Sequence, residues 1–136
     1  MSKKAIIITD GTESINSIAK LISGELTGFN IKIIPSDQFV GTDLLPVDTF
    51  FIGCENAKPA SFAYLEEMLS HINLASRTCR IFSVNEKALK YLDNIVKDCE
   101  ADTTEGLLAL NGEVNNTALK SWLKVLIEES TTPQHE

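Results

Sequence analysis

The chain has 136 residues, of which 43% are hydrophobic and 23% are charged, so it is long enough for one domain with a buried core and is not disordered. Its 19 acidic and 12 basic residues give a net charge of −7, which repels nucleic acids and anionic lipids. We therefore expect no nucleic-acid and no membrane partner, and no apolar stretch is long enough to span a bilayer.

Cysteine usage indicates the compartment. Cys54, Cys79 and Cys99 are an odd number and form no CxxC pair, which argues against a disulfide framework and against a zinc site. The apolar run after Lys3 and Lys4 is too short for the hydrophobic region of a secretory signal. We therefore expect a soluble cytoplasmic protein.

The first stretch of the chain predicts a strand, a loop and a helix. Residues 5–9 begin with four consecutive apolar side chains, which is typical of a strand buried on both faces of a parallel sheet. Residues 10–14 form a loop rich in hydroxyls, in which Thr12 is a good N-cap residue. An apolar stripe at helical spacing follows: Ile15, Ile18, Ile22 and Leu26. The free N–H groups at the start of such a helix suit a phosphate.

Strands and helices alternate along the rest of the chain. Four further strands are predicted at residues 29–34, 48–53, 79–83 and 106–110. Helices are predicted after Pro59, after the capping residue Asn85 and after Asn115 or Asn116. The apolar stripes of these helices are Phe62, Leu65, Leu69 and Ile72; Ala88, Leu92, Ile95 and Val96; and Leu119, Trp122, Leu123 and Leu126.

The segment between the second and third strands is too short for a normal helix. Residues 35–47 contain Gly41 and Pro46, and they hold at most one helical turn, near residues 42–45. The crossover helix there is expected to be short or missing. Residues 1–130 are predicted to form a single domain, and residues 131–136 a frayed tail.

This alternation predicts an α/β domain with a doubly wound parallel sheet of five strands, which allows two main strand orders, and we take the order 2-1-3-4-5. In that order a ligand lies where the first and third strands leave the sheet. The loops at residues 9–14 and 53–58 should therefore flank any site, with the loop at residues 83–86 beside them.

Three blocks of the sequence resemble the flavodoxin family. AIIITDGTESINSIAKLI is similar to the family's first strand, hydroxyl-rich FMN-phosphate loop and first helix. LLPVDTFFIGCENAKPASFAYLEEML is similar to the segment where a strand ends in glycine, a flavin-contacting loop follows and a proline-led helix begins. GLLALNGEV is similar to the last strand. The resemblance implies a three-layer sandwich that binds FMN non-covalently and carries electrons.

The resemblance also implies a cofactor site. Backbone N–H groups of residues 11–14, with the hydroxyls of Thr12 and Ser14, would bind the phosphate, and the two later loops would flank the flavin ring. The implied cofactor-binding residues are Thr9, Asp10, Gly11, Thr12, Glu13, Ser14, Gly53, Cys54, Glu55, Asn56, Ser83 and Asn85. No catalytic or metal-binding residue is implied, so an electron carrier is expected rather than a catalyst.

Two features depart from the family pattern. When the phosphate loop is aligned on Thr12, Asp10 replaces a hydroxyl, Glu13 a glycine and Ile15 a second hydroxyl. The loops expected to flank the ring read GCENAKP and SVNEKA, without tryptophan or tyrosine. Both departures favour an alternative, in which the domain has lost the flavin and acts as a binding or regulatory module.

Asp10 also lies where a receiver domain, which has the same topology, carries an acidic residue. The other positions that a receiver requires hold Gly53 and Cys54 after the third strand and Asn111 and Gly112 after the fifth, so that reading is rejected.

Three other candidates remain open. Cys54 is near a helix start, where a reactive thiol is favoured, although a small half-buried residue is the ordinary alternative. Asp10 and Glu55 are candidate paired carboxylates across the crevice. His71 and His135 are expected at the surface, outside any catalytic or metal-binding group.

The first function hypothesis is therefore a small FMN-binding electron-transfer protein, and the second is the module without flavin. The acidic surface suits a basic redox partner protein. We expect a monomer or a weak dimer.

Overall fold

The computed structural model describes residues 3–103, 106–109 and 113–131. Its strands are β1 Lys3–Thr9, β2 Phe29–Pro35, β3 Thr49–Cys54, β4 Thr78–Ser83, β5 Asp102–Thr103 and β6 Leu107–Leu108. Its α-helices are α1 Glu13–Glu25, α2 Ala63–Leu69, α3 Glu86–Lys97, α4 Asn116–Trp122 and α5 Lys124–Thr131. Within these residues, no helix has the length and hydrophobicity needed to cross a bilayer.

The strands form one parallel sheet in the order β2-β1-β3-β4-β5, which confirms the predicted topology. The fifth position is divided, because β5 pairs with the first residues of β4 and β6 pairs with its last residues. The prediction of one strand over residues 106–110 therefore captured β6 and missed β5, whose two residues are both exposed and show no apolar pattern. Residue 110 lies outside the described residues.

The connection between β2 and β3 has no α-helix, as the sequence predicted. The expected single turn is a 3-10 helix at Gly41–Leu44, and a second one, which was not predicted, lies at Ser36–Gln38. The chain therefore passes from β2 to β3 through a short irregular segment rather than through a long helix.

Two predicted helices differ from the structure. The helix after Pro59 begins with a 3-10 turn at Ala60–Phe62, and α2 already ends at Leu69, so Ile72 lies beyond it. The last helix is capped by Asn115 and is interrupted at Leu123, which separates α4 from α5. The stripe residues Leu119, Leu123 and Leu126 are nevertheless buried, in the same hydrophobic cluster as the stripe of α1.

The α5 helix ends at Thr131, which is the first residue of the predicted tail. The single domain over residues 1–130 stays a prediction. Residues 132–136 lie outside the described residues.

The core consists of two layers, one on each face of the sheet. Alternate residues of β1 divide between them: Ile6 and Ile8 pack in the layer that includes α2 and α3, whereas Ile7 packs in the layer that includes α1 and α4. The four stripe residues of α1 are all buried, as predicted. Because both faces of the central strands are covered, functional groups can reach solvent only at the ends of the strands.

Gly53 is fixed by packing between neighbouring strands. It lies in β3, and a Cβ atom built at this position would overlap the ring of Phe82 from β4. Phe82 is itself fully buried, so its ring has little space into which to move. The glycine therefore lets the ring of Phe82 lie directly against the backbone of β3.

Replacing Gly53 by alanine should destabilise the protein by roughly 1–3 kcal/mol, because the added methyl group overpacks the core. A matched control is Gly24→Ala, since a Cβ there meets no heavy atom within 4 Å and the residue lies in α1. That variant should be about 0.5–1 kcal/mol more stable than the native chain. Urea unfolding measures both, and equal stabilities for the two variants would contradict the packing of Phe82 on Gly53.

The three cysteines are buried free thiols. Burial, reinforced by the nearby Asp10 carboxylate, raises the pKa of Cys54 to about 12. Burial and the nearby Cys99 also raise the pKa of Cys79 well above its ordinary value. A thiol of this kind has almost no thiolate near neutral pH, so Cys54 is not an activated nucleophile.

Iodoacetamide at about pH 8 should label Cys54 only as fast as the protein unfolds, because the thiol is buried and protonated. Mass spectrometry of native and urea-treated samples measures the rates, and the unfolded chain is the control. Rapid labelling of the native chain would contradict the assignment.

The raised pKa of Cys54 also makes stability depend on pH. Below pH 9.0 the thiol is protonated in both states, whereas above it the unfolded chain ionises first, so the free energy of unfolding should fall as the pH rises from 9.0 toward about 12.

Candidate functional site

Three loops leave the sheet side by side at its carboxyl edge. The strand register pairs Thr9 of β1 with Gly53 of β3, and Cys54 of β3 with Ser83 of β4. The loops that follow these strands are therefore neighbours, as the strand order predicted. We call the surface formed by residues 9–14, 53–56 and 83–85 the mouth. In a doubly wound sheet this is the position at which ligands bind.

The loop after β1 is organised by the side chain of Asp10. Its Oδ1 atom accepts hydrogen bonds from the backbone N–H of Thr12, at 3.0 Å, and from the Thr12 hydroxyl, at 2.6 Å. The Gly11 N–H donates to the hydroxyl oxygen of buried Thr9 at 3.2 Å. Gly11 has a φ of 84°, a left-handed conformation that glycine adopts at little cost. Two N–H groups and one hydroxyl of the loop thus donate to side chains at the end of β1 and directly after it.

Thr12 is the N-cap residue of α1, as predicted, but the expected capping hydrogen bond from its side chain is missing. The hydroxyl instead donates to the Asp10 carboxylate at 2.6 Å, a length typical of a charge-assisted hydrogen bond.

Two hydrogen bonds join this loop to the loop after β3. The Oδ2 atom of Asp10 accepts from the backbone N–H of Glu55 at 2.7 Å. The Ser14 hydroxyl donates to Oε1 of Glu55 at 2.6 Å. Asp10 and Glu55, the candidate paired carboxylates, meet across the crevice through the Glu55 N–H and the Asp10 carboxylate. The Glu55 carboxylate accepts instead from the Ser14 hydroxyl. Both carboxylates are therefore hydrogen-bond acceptors that connect two loops.

The loop after β4 is held by Ser83 and Asn85. The hydroxyl of Ser83, which is fully buried, donates to the Cys54 carbonyl at 2.6 Å and accepts from the Asn85 N–H at 3.3 Å. The side chain of Asn85 donates to the Glu55 carbonyl and accepts from the Ala88 N–H, which confirms its predicted role as the cap of α3. All three loops are thus connected through Glu55.

The remaining residues of the implied site differ in accessibility. The side chains of Thr9, Cys54 and Ser83 are buried, whereas Glu13 and Asn56 are exposed. Contact between any residue of this set and a ligand remains a prediction.

Sequence reasoning assigned Asp10 to the site but missed its structural role. An aspartate two residues before a threonine, directly ahead of a helix, is a pattern in which the carboxylate bonds to the backbone two residues on. That signal was available in the sequence. The contact with Glu55 had no such local signal.

A cleft of about 450 Å³ adjoins the mouth and is lined by Asn56, Ala57, Asn85, Glu86 and Lys87. It lies between the two loops that were expected to flank a flavin ring, and none of its lining residues is aromatic. Of the aromatic residues of α2 and the 3-10 turn before it, Phe62 is buried in the core, and Tyr64 accepts a hydrogen bond from the Gly41 N–H. Neither is among the residues that line this cleft.

The mouth engages four of the six donors expected to bind the phosphate of FMN. The Thr12 N–H and hydroxyl donate to Asp10, the Ser14 hydroxyl donates to Glu55, and the Gly11 N–H donates to Thr9, which leaves the N–H groups of Glu13 and Ser14 from the expected set. A phosphate would also lie beside two carboxylates, and each like-charge pair about 4 Å apart costs on the order of 4 kcal/mol near a protein surface.

Metal binding receives no support here. Among the residues that the structure describes, no group of three or more His, Cys, Asp or Glu side chains is arranged to hold a metal ion.

Comparison with known proteins gives a match of fold. No family model matches the sequence, and no curated protein matches it. The structure is similar to a short-chain flavodoxin associated with a PDU bacterial microcompartment, with a TM-score of 0.80 and 13% identity over 96% of this chain and 100% of that chain.

Two further solved structures agree. Flavodoxin 2 from Bacillus cereus has a TM-score of 0.74 and 18% identity, over 94% of this chain and 99% of that chain. A Fusobacterium nucleatum flavodoxin bound to flavin mononucleotide has a TM-score of 0.67 and 12% identity, over 95% of this chain and 96% of that chain. Identities this low establish the fold alone, and the conclusion is that this chain has the flavodoxin fold.

Proposed function

We propose that this chain is a binding module with the flavodoxin fold that acts without FMN. The observation that carries the proposal is the Asp10 carboxylate, which accepts three hydrogen bonds from Thr12 and Glu55. Backbone N–H groups and a hydroxyl at this position are the donors that a phosphate group would require. With these donors engaged, a flavin nucleotide would lose part of the contact that holds its phosphate.

The short loop after β4 supports the same proposal. Only Val84 and Asn85 separate β4 from α3, and the Asn85 side chain is occupied by the helix cap and by the Glu55 carbonyl. Neither this loop nor the loop after β3 offers an aromatic ring for stacking, which is worth about 1 kcal/mol per contact. A flavin ring would have neither a cover nor a stacking partner here.

A basic protein is the proposed partner class. The chain has a net charge of −7, and four acidic side chains lie in or next to the mouth: Asp10, Glu13, Glu55 and Glu86. A negative surface of this kind accelerates the encounter with a positive one and favours it over acidic competitors. The charge of the mouth thus suits a positively charged partner and disfavours a phosphate.

The second candidate is an FMN-dependent electron carrier. It is supported by the fold, by the position of the mouth at the topological switch point, and by a solved neighbour that is described as bound to flavin mononucleotide. FMN would supply the redox chemistry, and this chain would orient the ring. For that, Asp10 would have to leave the donors of Thr12 before a phosphate could bind them.

A fluorescence titration of FMN separates the two functions. The purified chain should be colourless and should leave flavin fluorescence unquenched, because four of the six donors expected to bind the phosphate are engaged within the mouth. The flavodoxin from Fusobacterium nucleatum, freed of its cofactor, is the positive control. A yellow protein, or saturable quenching by this chain, would favour the electron carrier and contradict the proposal.

The partner class is tested with oligolysine as a basic probe. Replacing Glu13 and Glu86 by glutamine should weaken binding more than replacing Asp48 and Asp102 by asparagine, although both double variants lose the same charge. Asp48 and Asp102 are exposed at the opposite edge of the sheet. Affinities measured between about 50 and 500 mM NaCl should fall steadily, because salt screens exposed charges.

Equal losses in the two double variants would show that oligolysine binds by net charge alone, and the mouth would then have no part in recognition.

A further inference from the structure

We infer that the Asp10 carboxylate occupies the place of a bound phosphate at the mouth. Its hydrogen bonds also hold the loops after β1 and β3 together. The inference rests on the proposed function, because it explains why the mouth holds no flavin nucleotide. It goes further by assigning the closure of the site to a single side chain.

The position of Asp10 is the first step. It follows β1 directly, at the level where Thr9 of β1 is paired with Gly53 of β3. This is the edge at which doubly wound sheets bind ligands, and the start of α1 lies three residues further on. A negative group is favoured there by the helix dipole, whether it belongs to a ligand or to a side chain.

The donors that Asp10 engages are the second step. Two are N–H groups from different loops, those of Thr12 and Glu55, and the third is the Thr12 hydroxyl. The bond from the Thr12 N–H has an ordinary length of 3.0 Å, whereas those from the Glu55 N–H, at 2.7 Å, and from the Thr12 hydroxyl, at 2.6 Å, are short and typical of charge-assisted bonds. Three donors converging on one carboxylate reproduce the environment of a bound oxyanion without any ligand.

The connection between the loops is the third step. Asp10 and Glu55 are 45 residues apart in sequence, and the bond between them is reinforced by the one from Ser14 to Glu55. Because Asn85 also binds the Glu55 carbonyl, an opening of the Asp10 contact would loosen all three loops. Removing the Asp10 carboxylate should therefore leave the donors of Thr12 and Glu55 open to an external anion.

Thermal unfolding with and without inorganic phosphate tests this inference. The melting temperature of Asp10→Ser should be below that of the native chain, and phosphate at constant ionic strength should raise it by about 3 °C or more, because binding to the folded state stabilises it. The native chain should show no such rise. An equal response of Asp10→Ser and the native chain to phosphate would overturn the inference.

Glu13→Gln is the matched control. It removes the same charge from the first turn of α1 and leaves the three contacts of Asp10 in place. If Glu13→Gln responds to phosphate as strongly as Asp10→Ser, the effect is one of general charge, and the inference fails.

Should Asp10→Ser not fold, Asp10→Asn keeps the shape of the side chain and removes its charge, and the same comparison applies. The outcome is independent of the FMN titration. Flavin binding by the native chain would contradict the proposed function, whereas the phosphate response of the variants decides the role of Asp10.

Discussion

The fold depends on the burial of β3 between two strands and two helical layers. All six of its residues are buried, and they pair with β1 on one side and with β4 on the other. This packing fixes the register, because a shift by one residue would exchange the two faces of the strand and displace Gly53 from beneath Phe82. The fixed register in turn brings the ends of β1, β3 and β4 to the same level, and this creates the mouth.

The chemistry of the mouth follows from placing carboxylates where the fold favours an anion. A side chain has an advantage over a free ligand at such a position, since it is already attached and loses less freedom on binding. The Asp10 carboxylate uses this advantage and also connects two loops. Similar backbones can thus form an anion site in one protein and a closed hydrogen-bonded joint in another, so function has to be argued from the residues of the site.

The sequence predicted elements well where burial imposes a pattern and poorly where it does not. The stripe of α1 and the apolar strands were identified because each presents an unbroken apolar face. The strand β5 was missed because both of its residues, Asp102 and Thr103, are exposed and are held only by pairing with β4. The break at Leu123 was missed because the apolar spacing continues across it without interruption.

By itself, the sequence determined the alternation of strands and helices and the burial of the strands on both faces, because hydrophobic periodicity is a local property. The structure then selected the order β2-β1-β3-β4-β5, which brings three loops together at the carboxyl edge. The sequence also placed Asp10 and Glu55 in the loops that follow the first and third strands. Only the tertiary structure decided what these carboxylates do. Asp10 accepts from neighbouring Thr12 and from Glu55, which is 45 residues away, and Glu55 accepts from Ser14, which is 41 residues away. No local pattern in the sequence encodes which distant donor a side chain will meet.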